Sequence, residues 1–522
     1  MGSVHPARGP DQGPGAGTTH AGGGHPVPLG GRGHPVRRRR GAHPGGGPTP
    51  RTGTGAPHGV VPAALPSVSA ARLAEFAATL DLRHVPPPLQ ERLALLTFDL
   101  CATALFVARR TPWGRIVTAL VTEDLRGPAV AAVLGTPRRT SPPAAALANG
   151  TLAMGFEYED THPLGGHPFS IAFPAALAVG QWRHLPASEV LTAAAAGYEV
   201  EIRLRRAARM TSPWPDRGLY PVTLFGVFGA AAAAGRAAGL SPAQMVQALG
   251  IAGSHAFGTM QAHAEGTMTR RLHGGKAAEV GVLAALLARR GFTGPAGILD
   301  GEYGFFRTFA GTEPDLQAAT ADLGQTWALA DAWLKRYAVN GLFQAAIEAL
   351  QVLQAEQGVA AEEVTRVEAT IGRASRLHAE RDASSVVRAQ FSLPVVLALT
   401  LRYGAPHPDV LLGERFDTDL VRLAERVTVT FGDPPPADPD ARRFGRVEVW
   451  RRDGSRCSAE VLYPRGHPRN PMGWEDIRRK YDELLSDLPP DRRRRLAARA
   501  AGFPGLGDSA TFRLPLPQGG DG

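Results

Sequence analysis

The hydrophobic pattern of this 522-residue chain changes near Lys335, and the change limits the folds open to it. From residue 65 to about residue 326, apolar residues recur at the spacing of successive helices that are rich in alanine and glycine. Beyond Lys335, residues 366–371 and 426–431 alternate apolar and polar side chains, as half-buried strands do. The chain is therefore predicted to be mainly α, with a large helical domain followed by a smaller α+β domain.

Local signals predict where several elements begin and end. Ser241 and Gln244 flank Pro242 in the arrangement of a capping box, which marks a helix start. Asp453 and Gly454 lie between two alternating runs and predict a hairpin turn. Further helices are predicted at 188–210, 274–290, 343–356, 385–401, 474–485 and 490–501.

The first 64 residues differ from the rest in composition and charge. They are mainly glycine, proline, histidine and arginine, and they supply +6 of the formal net charge of +9. Such a segment has almost nothing to bury, lacks the apolar core of a secretory signal and is predicted to be a disordered extension. Its function is open: a dispensable extension, a start codon assigned too far upstream, or a basic tail for a polyanion. Since the remainder holds only about +3, nucleic acid is not the expected partner.

Cysteine content and hydropathy exclude other classes of protein. Cys101 and Cys457 are the two cysteines of the sequence, too few for a disulfide framework or a cysteine metal cluster. The longest apolar candidate, residues 227–240, is mostly alanine and is interrupted by Arg236, so no run is predicted to span a bilayer. We therefore expect a cytoplasmic protein with no membrane association.

An acidic, histidine-bearing loop lies between two alanine-rich segments. Its charged and titratable residues are Glu157, Glu159, Asp160, His162 and His167. Pro163 and the pair Gly165-Gly166 end the helical pattern here and predict an irregular loop. Carboxylates at a helix end, followed by a histidine, are typical of a site for proton transfer. Within this loop, Glu159 and Asp160 are interpreted as helix-end or capping groups.

Seven segments, read in order between about residue 65 and residue 501, carry a family resemblance. They are NGTLAMGFEYEDT, GYEVEIRL, ALGIAGSHAFG, LHGGKAAEVGVLAALLARRGFTGP, LKRYAVNG, FSLPVVLAL and NPMGWEDIRRKYDELL. Together they resemble the MmgE/PrpD superfamily, which includes 2-methylcitrate dehydratase, cis-aconitate decarboxylase and iminodisuccinate epimerase. The resemblance implies an all-helical domain built from both ends of the chain, residues 65–331 and 466–505, with an α+β lid domain at 332–465. It also implies a homodimer, and residues 506–522 are predicted to be a tail.

The resemblance also assigns site residues, and this chain departs from the family pattern at several of them. Glu157 replaces an aspartate of a DFDDT-type motif, while the histidine six residues after Thr161 is kept as His167. Tyr220 stands where an RGFHPT-type motif has its histidine. Arg270 stands at the lysine of a KPLH-type motif.

Two further segments show the same mixture of retention and change. Lys335 is the lysine of a KRYP-like segment, whereas Asn340 replaces the histidine five residues later. Val395 corresponds to a tyrosine that some members carry after an FSLP-type motif. The catalytic residues implied by the resemblance are His167, Lys335, Glu157 and Tyr220, and the substrate-binding residues are Arg270, Asn340 and His273.

Each replacement has a chemical consequence. Arginine binds a carboxylate through two hydrogen bonds but does not give up its proton at ordinary pH, so Arg270 is expected to bind substrate. Tyrosine has an unperturbed pKa of about 10, so Tyr220 is expected to donate a hydrogen bond or a proton. His167 is then the expected base, with Glu157 orienting it or accepting a proton itself. Lys335, if partly desolvated, would act as an acid or base.

The chain is therefore predicted to be a metal-independent lyase or isomerase without a cofactor, acting on a small carboxylic acid by proton transfer with loss of water or carbon dioxide. The altered residues favour a substrate with fewer carboxylates, or a specialised metabolite, over 2-methylcitrate and cis-aconitate. One alternative is a catalytically silent homologue that binds a carboxylate ligand or a protein partner. Another is a hard-metal site at Glu157, Glu159, His162 and His167, although their spacing matches no metal motif.

Overall fold

The computed structural model describes residues 66–125, 127–208, 217–310, 314–413 and 416–516. The extension predicted at 1–64 lies outside these residues. The helices are α1 (Val68–Thr79), α2 (Pro87–Arg110), α3 (Pro112–Ala119), α4 (Pro142–Ala153), α5 (Pro168–Trp182), α6 (Ala187–Ala207), α7 (Pro221–Ala238), α8 (Pro242–Ser254), α9 (Gln261–Glu265), α10 (Thr269–Arg289), α11 (Leu316–Thr320), α12 (Gln344–Gln357), α13 (Val386–Gln390), α14 (Leu393–Tyr403), α15 (Pro408–Leu412), α16 (Thr418–Glu425), α17 (Trp474–Leu484) and α18 (Pro490–Ala501). The strands are β1 (Ala131–Ala132), β2 (Arg139–Thr140), β3 (Asp160–Thr161), β4 (Trp333–Leu334), β5 (Val364–Gly372), β6 (Val427–Gly432), β7 (Gly445–Arg451) and β8 (Arg456–Val461).

The architecture is mainly α with a smaller α+β part, as predicted. We call α1–α11 with α17 and α18 the helical part, and α12–α16 with β5–β8 the α+β part.

Local signals explain several element ends. Ser241 Oγ accepts from Gln244 N at 3.3 Å, and Gln244 Oε1 accepts from Ser241 N at 3.1 Å, so the predicted capping box starts α8. The helix predicted at 385–401 is instead two helices, because Ser392 accepts a hydrogen bond from Val395 N and Pro394 lies in the first turn of α14.

The core of the helical part is formed by α4, α5, α6, α7 and α10, which pack against one another through small side chains. The contact between α4 and α10 is close enough to require glycine: a Cβ on Gly275 would lie 2.1 Å from the carbonyl oxygen of Leu147. This contact matters for the site because the loop that follows α4 carries Glu157 and the first turn of α10 carries Arg270.

The α+β part contains a four-stranded sheet in the order β6-β5-β7-β8. β5 pairs with β6 in parallel, while β5 with β7 and β7 with β8 are antiparallel. The predicted alternation is present in β5, where Val367, Ala369 and Ile371 are buried. The predicted hairpin is also confirmed, since Gly454 in the turn between β7 and β8 has a φ of 85°.

A two-residue antiparallel ladder joins the acidic loop to the start of the later segment. β3 pairs with β4 so that Asp160 is opposite Leu334 and Thr161 is opposite Trp333. The pairing brings Glu159, which precedes β3, close to Lys335, which follows β4. Residues that are far apart in the sequence are thereby placed side by side.

The C-terminal helices α17 and α18 pack against α2. Lys480 on α17 is buried and its Nζ contacts Asp99 Oδ1 at 2.7 Å, Tyr158 O at 2.6 Å and Lys335 O at 3.2 Å. One side chain from the C-terminal segment therefore holds the backbone beside both Glu157 and Lys335. The domain boundaries at 331 and 465 stay predictions.

The tail predicted at 506–522 needs correction over its first part. Phe512 and Leu514 are buried, and Gln181 Nε2 donates to the carbonyl oxygens of Ser509 and Phe512 at 3.1 and 3.0 Å. Apolar residues at alternate positions near the end of the chain are the reason, since they cover the side of α5. Residues 517–522 lie outside the described part.

Helix α7 is long and apolar enough to cross a membrane by length and composition alone. The sequence prediction rested on the shorter run at residues 227–240 and did not indicate this. Within the protein, 94% of this helix is buried, and it packs against α5, α6, α8 and α10. It is therefore built as a core helix.

Candidate active site

A cavity of about 860 Å³ lies between the helical part and the α+β part. Five of the seven site residues predicted from the sequence line it: Glu157, His167, Tyr220, Arg270 and Asn340. Lys335 and His273 do not line it and lie behind Glu157 and Tyr220 instead. Val395 is buried in α14, away from the cavity wall.

Glu157 is buried and its backbone has a φ of 56°, in the left-handed region that non-glycine residues seldom adopt. Its carboxylate pairs with Arg270 through Oε1 and with Lys335 through Oε2, the latter at 3.2 Å. Burial alone would raise the pKa of Glu157, but Arg270 and Lys335 outweigh it and hold that pKa below the usual carboxyl range. Glu157 is therefore an anion held by two cations and is not a free proton acceptor.

Lys335 is completely buried and has three acceptors for its ammonium group. Nζ lies 2.9 Å from Glu157 O, 3.2 Å from Glu157 Oε2 and 3.2 Å from Glu159 Oε1. Burial, followed by the nearby Glu157 charge, raises the pKa of Glu159 despite Lys335. The interpretation of Glu159 as a helix-end group was wrong, because the pairing of β3 with β4 places its carboxylate beside Lys335 in this buried cluster.

His167 is the residue before α5 and lies at the cavity wall. Its Nδ1 lies 2.6 Å from the carbonyl oxygen of Asp160, and because a carbonyl can only accept, Nδ1 carries the proton. Nε2 is then the basic nitrogen. Burial lowers the pKa of His167 well below the ordinary histidine value, and Lys335 adds to this against the opposing effect of Glu157. In the free protein the ring is neutral near pH 7.

Asp160 has the capping role that the sequence suggested, but for the following helix. Its Oδ2 accepts from Phe169 N and its Oδ1 from Ser170 N, each at 3.0 Å, in the first turn of α5. Burial raises the pKa of Asp160 to about 7, against these hydrogen bonds. The cap fixes the loop, and its own carbonyl then orients His167.

The loop between Asp160 and His167 requires a glycine at position 166. Its φ is 93°, and a Cβ there would lie 2.8 Å from the guanidinium carbon of Arg205. Arg205 is itself held by Glu201 and by the carbonyl oxygen of Pro221. The Gly-Gly pair of the sequence thus lets the chain pass over a buried arginine immediately before His167.

Arg270 and Tyr220 form a cationic, hydrogen-bonding side of the cavity. The Arg270 guanidinium lies 5.4 Å from the centre of the Tyr220 ring. Among the described residues, Tyr220 Oη, Arg270 Nε and Arg270 Nη1 are buried without a hydrogen-bond partner. Burial raises the pKa of Tyr220 above the usual tyrosine value, so the phenol keeps its proton. Burial alone would lower the pKa of Arg270, but the Glu157 carboxylate outweighs burial and raises it.

Three residues that the sequence interpretation missed contribute to the same region. His263 and His378 line the cavity, and each has a buried Nδ1 that is unpaired within the part of the chain that the structure covers. Arg271 is buried against Trp113 and donates to Gln390. No motif marks the two histidines in the sequence, since both are single residues outside the active-site motifs, whereas Arg271 lies next to Arg270 within the KPLH-type motif.

Two other histidines, His273 and His162, do not line the cavity, although the sequence predicted each to belong to a candidate site. His273, predicted to bind substrate, packs with its ring centre 4.9 Å from that of Tyr220 and supports that ring from behind. His162 accepts from Leu164 N at 3.0 Å through Nδ1 and does not line the cavity. Arg443 reaches the same loop from the α+β part and donates to His162 O at 2.8 Å. Both histidines therefore support the site without lining it.

The alternative metal site is only partly assembled. Glu157, Glu159 and His167 offer ligand atoms within 4.8 Å of one another, but His162 is not part of the group. The Lys335 ammonium lies 3.2 Å from both carboxylates and already supplies a positive charge there. A divalent cation would have to compete with this ammonium at short range, which is electrostatically unfavourable.

The arrangement combines a neutral imidazole, a guanidinium with free donors and a protonated phenol around one cavity. Because buried donors without acceptors are unfavourable, the cavity is suited to a ligand rich in acceptor oxygens. A small carboxylic acid has that chemistry, and the His167 imidazole can exchange a proton with it.

Comparisons with known proteins agree with this chemistry. The MmgE/PrpD N-terminal domain family matches residues 71–317, and the MmgE/PrpD C-terminal domain family matches residues 337–501. The cis-aconitate decarboxylase of Aspergillus terreus is 30% identical over 453 residues, which cover 81% of this chain and 90% of the relative.

Two further relatives have similar names. The cis-aconitate decarboxylase-like protein oryM of Aspergillus oryzae is 28% identical over 445 residues, covering 80% of this chain and 90% of that protein. The cis-aconitate decarboxylase of Homo sapiens is 28% identical over 371 residues, covering 68% and 75%. The similarity extends across both the helical part and the α+β part.

Proposed function

The chain belongs to the MmgE/PrpD family and is a lyase of the decarboxylase or dehydratase type, and from this premise we propose that it decarboxylates a small polycarboxylic acid without a metal ion. The placement of His167 carries the proposal: Nδ1 is committed to the Asp160 carbonyl oxygen 2.6 Å away, and Nε2 remains for proton transfer. The names of the relatives make cis-aconitate the first substrate to test.

Arg270 and Tyr220 bind a substrate carboxylate in this proposal. Arg270 Nε and Nη1 and the Tyr220 hydroxyl lack acceptors among the described residues, and a carboxylate offers two oxygens to them. Glu157 keeps the guanidinium in place by pairing with its remaining nitrogen, Nη2. The arginine that replaces the family lysine therefore still has donors for substrate.

The reaction breaks the bond between a carboxylate carbon and its neighbour, and carbon dioxide leaves. The electron pair of that bond stays on the organic product, which takes up one proton from His167 Nε2. Negative charge that develops on the substrate is stabilised by the Arg270 guanidinium and the Tyr220 hydroxyl. Carbon and charge balance, because the substrate loses one carboxylate and gains one proton.

The proton enters together with the substrate. His167 is neutral in the free protein, since burial and Lys335 lower its pKa. A polycarboxylate adds negative charge beside the ring, which raises the pKa of His167 and favours the imidazolium. Binding of the anion and uptake of the proton are thus coupled.

Metal independence rests on Lys335. Its ammonium lies 3.2 Å from both Glu157 and Glu159, where the acidic groups would otherwise attract a divalent cation. Because Lys335 is buried and does not line the cavity, it acts as a positioning residue in this proposal, in place of the acid or base role expected from the sequence. The homodimer and the cytoplasmic location stay predictions.

The test is incubation of the full-length protein with cis-aconitate and related di- and tricarboxylates in heavy water, after dialysis against a chelator. We expect carbon dioxide release and one deuterium in the product by NMR. Binding without turnover of any member of the series would overturn the proposal and support the catalytically silent alternative. Activity that is lost to the chelator and restored by a divalent ion would overturn metal independence alone.

Dehydration is the second candidate, and one observation favours it. The neutral His167 of the free protein is a base, which suits removal of a proton next to a carboxylate. The same experiment separates the two reactions when the series includes hydroxy acids such as 2-methylcitrate, because the water that leaves comes from a substrate hydroxyl and a neighbouring proton. A dehydration retains every carboxylate and gives an unsaturated product without carbon dioxide.

A further inference from the structure

His378 reaches the cavity from the α+β part, on the short 3₁₀ helix Arg376–Ala379 that follows β5. It is 9% exposed. Its ring packs edge-on against Phe343 at 5.4 Å and stacks with Phe391 at 6.1 Å between ring centres. The imidazole is therefore held in one place by aromatic contacts.

Asn340 determines which nitrogen of His378 carries the proton. Asn340 Oδ1 accepts from Leu342 N at 2.9 Å, which fixes the orientation of the amide. Its Nδ2 then faces His378 Nε2 at 3.2 Å. An amide NH₂ can only donate, so Nε2 accepts and the proton of the neutral ring is on Nδ1.

This Nδ1–H is buried and makes no hydrogen bond of normal geometry within the described ranges of the chain. The backbone carbonyl of Ser375 lies near the ring and partly offsets the effect of burial on its pKa. Burial lowers the pKa of His378 to about 4, so near pH 7 the group is a neutral donor. A buried donor without an acceptor is unfavourable, and a ligand oxygen in the adjoining cavity would satisfy it.

Other donors surround the same phenyl ring as His378. The Arg270 guanidinium lies 5.6 Å from the centre of Phe391, and the His263 ring centre lies 5.1 Å from it. Arg270 Nε and His263 Nδ1 are likewise unpaired in the part of the chain described. His167, in contrast, belongs to the loop before α5, on the helical side of the cavity. The donors thus extend from the proton-transfer group towards the α+β part.

We infer that His378 binds a second carboxylate of the substrate through Nδ1–H, and that Asn340 is the positioning residue that fixes this tautomer. The inference rests on the proposed function and assigns separate positions to two carboxylates of the polycarboxylic acid, one beside His167 and Arg270 and the other at His378. It also gives a defined role to Asn340, which replaces a histidine of the family motif. The imidazole on that side of the cavity then comes from His378, and Asn340 fixes its tautomer.

The first experiment measures binding of butyrate, glutarate and tricarballylate to the full-length protein by calorimetry. His378→Phe keeps an aromatic ring but removes the donor. We expect the dissociation constants of glutarate and tricarballylate to rise roughly tenfold to a hundredfold, as for loss of a hydrogen bond to a charged group. The dissociation constant of butyrate should stay within about threefold. His84→Phe, at an exposed histidine at the end of the short helix Leu82–His84, is the control and should change none of the three.

The second experiment uses Asn340→Asp and does not depend on the stability of the first variant. A carboxylate at 340 accepts from Nε2–H, so a neutral His378 would turn an acceptor towards the ligand, and only the imidazolium would still donate from Nδ1. The ratio of variant to wild-type dissociation constants for glutarate should therefore increase from pH 6 to pH 8. A purely structural role for Asn340 predicts a ratio that does not vary with pH.

The outcomes separate this inference from the proposed function. Wild-type protein that binds glutarate no more tightly than butyrate would overturn both. Wild-type protein that prefers the polycarboxylates, together with a His378→Phe variant that keeps the same preference, would overturn the inference alone. If His378→Phe fails to fold, a ratio for Asn340→Asp that is flat with pH overturns the inference and a rising ratio supports it.

Discussion

Lys335 binds Glu157 at both ends of that residue: its Nζ lies 2.9 Å from the carbonyl oxygen and 3.2 Å from carboxylate Oε2. This double contact explains how a non-glycine residue is held at a φ of 56°. The strained backbone turns the Glu157 carboxylate towards Arg270. One lysine thereby orients the residue that in turn pairs with the guanidinium of Arg270.

Replacement of this lysine should destabilise the protein. Lys335→Met leaves Glu159 buried without its cation, and breaking a buried ion pair costs about 3–5 kcal/mol. The free energy of unfolding in urea measures this effect. Lys276→Met is the matched control, because Lys276 is exposed in its pair with Glu279 and should contribute less than about 0.5 kcal/mol. A loss below about 1 kcal/mol for Lys335→Met would contradict the buried network.

The same variant should change the pH dependence of catalysis. Lys335 lowers the pKa of His167, after burial, so its removal should raise that pKa. The group that must be protonated for the proposed decarboxylation would then stay protonated to higher pH. The falling limb of kcat/KM against pH should move upwards, and a limb that stays in place or moves down would argue against His167 as the proton donor.

His167→Asn tests proton transfer with little structural change. The asparagine amide can still donate to the Asp160 carbonyl in place of Nδ1, while the basic nitrogen is lost. Turnover should fall by a factor of about 10² to 10⁴, the usual contribution of a general acid or base. Ligand binding and the melting temperature should change little. His184→Asn, at an exposed histidine, is expected to keep full activity.

Buried histidines should make stability depend on pH, and His273 isolates the effect. Burial, followed by Arg270, lowers the pKa of His273 to about 4. Between that value and the unfolded value of about 6.5, the unfolded chain binds the proton and the folded chain does not, so stability is lost as pH falls through 6.5. His273→Phe removes this loss.

The free energy of unfolding of His273→Phe minus that of wild type should therefore increase by about 2 kcal/mol when pH is lowered from 7 to 5. The difference between the two proteins cancels the contributions of Asp160 and the other buried groups. Urea unfolding at both pH values measures it. A constant difference would contradict the prediction, because it would show that the pKa of His273 is the same in the folded and unfolded protein.

Lys480 and Asp99 form a second buried ion pair that a double-mutant cycle can test. Burial lowers the pKa of Lys480 and raises that of Asp99, so each charge depends on the other. Lys480→Met alone should cost about 3–5 kcal/mol in the free energy of unfolding, while Lys480→Met with Asp99→Leu should cost clearly less.

The single variant Lys480→Met should also lower kcat. Its ammonium binds the carbonyl oxygens of Tyr158 and Lys335, which belong to the two segments that carry the site. Additive costs in the double-mutant cycle would show that the pair is not coupled, and an unchanged kcat would show that the position of these carbonyls does not matter.

Elements whose signals are local could be predicted from the sequence. The capping box at Ser241 and the turn at Gly454 act over four residues, so their residue types were enough to place α8 and the hairpin between β7 and β8. The break between α13 and α14 was missed, although Ser392 and Pro394 are a local start signal, because the apolar pattern continues through it. The predicted tail was wrong for Phe512, since burial on α5 depends on a partner distant in sequence.

The sequence by itself determined the mainly α class with a smaller α+β part, the family, and the residues Glu157, His167, Tyr220, Arg270 and Asn340 as lining one cavity. Tertiary structure alone decided how these residues are arranged and paired there. Pairing of β3 with β4 placed Lys335 behind Glu157, and the packing of α4 on α10 placed Arg270 beside it. Protonation states and free donors depend on burial and on charges brought from distant segments, and neither quantity is encoded in a local pattern.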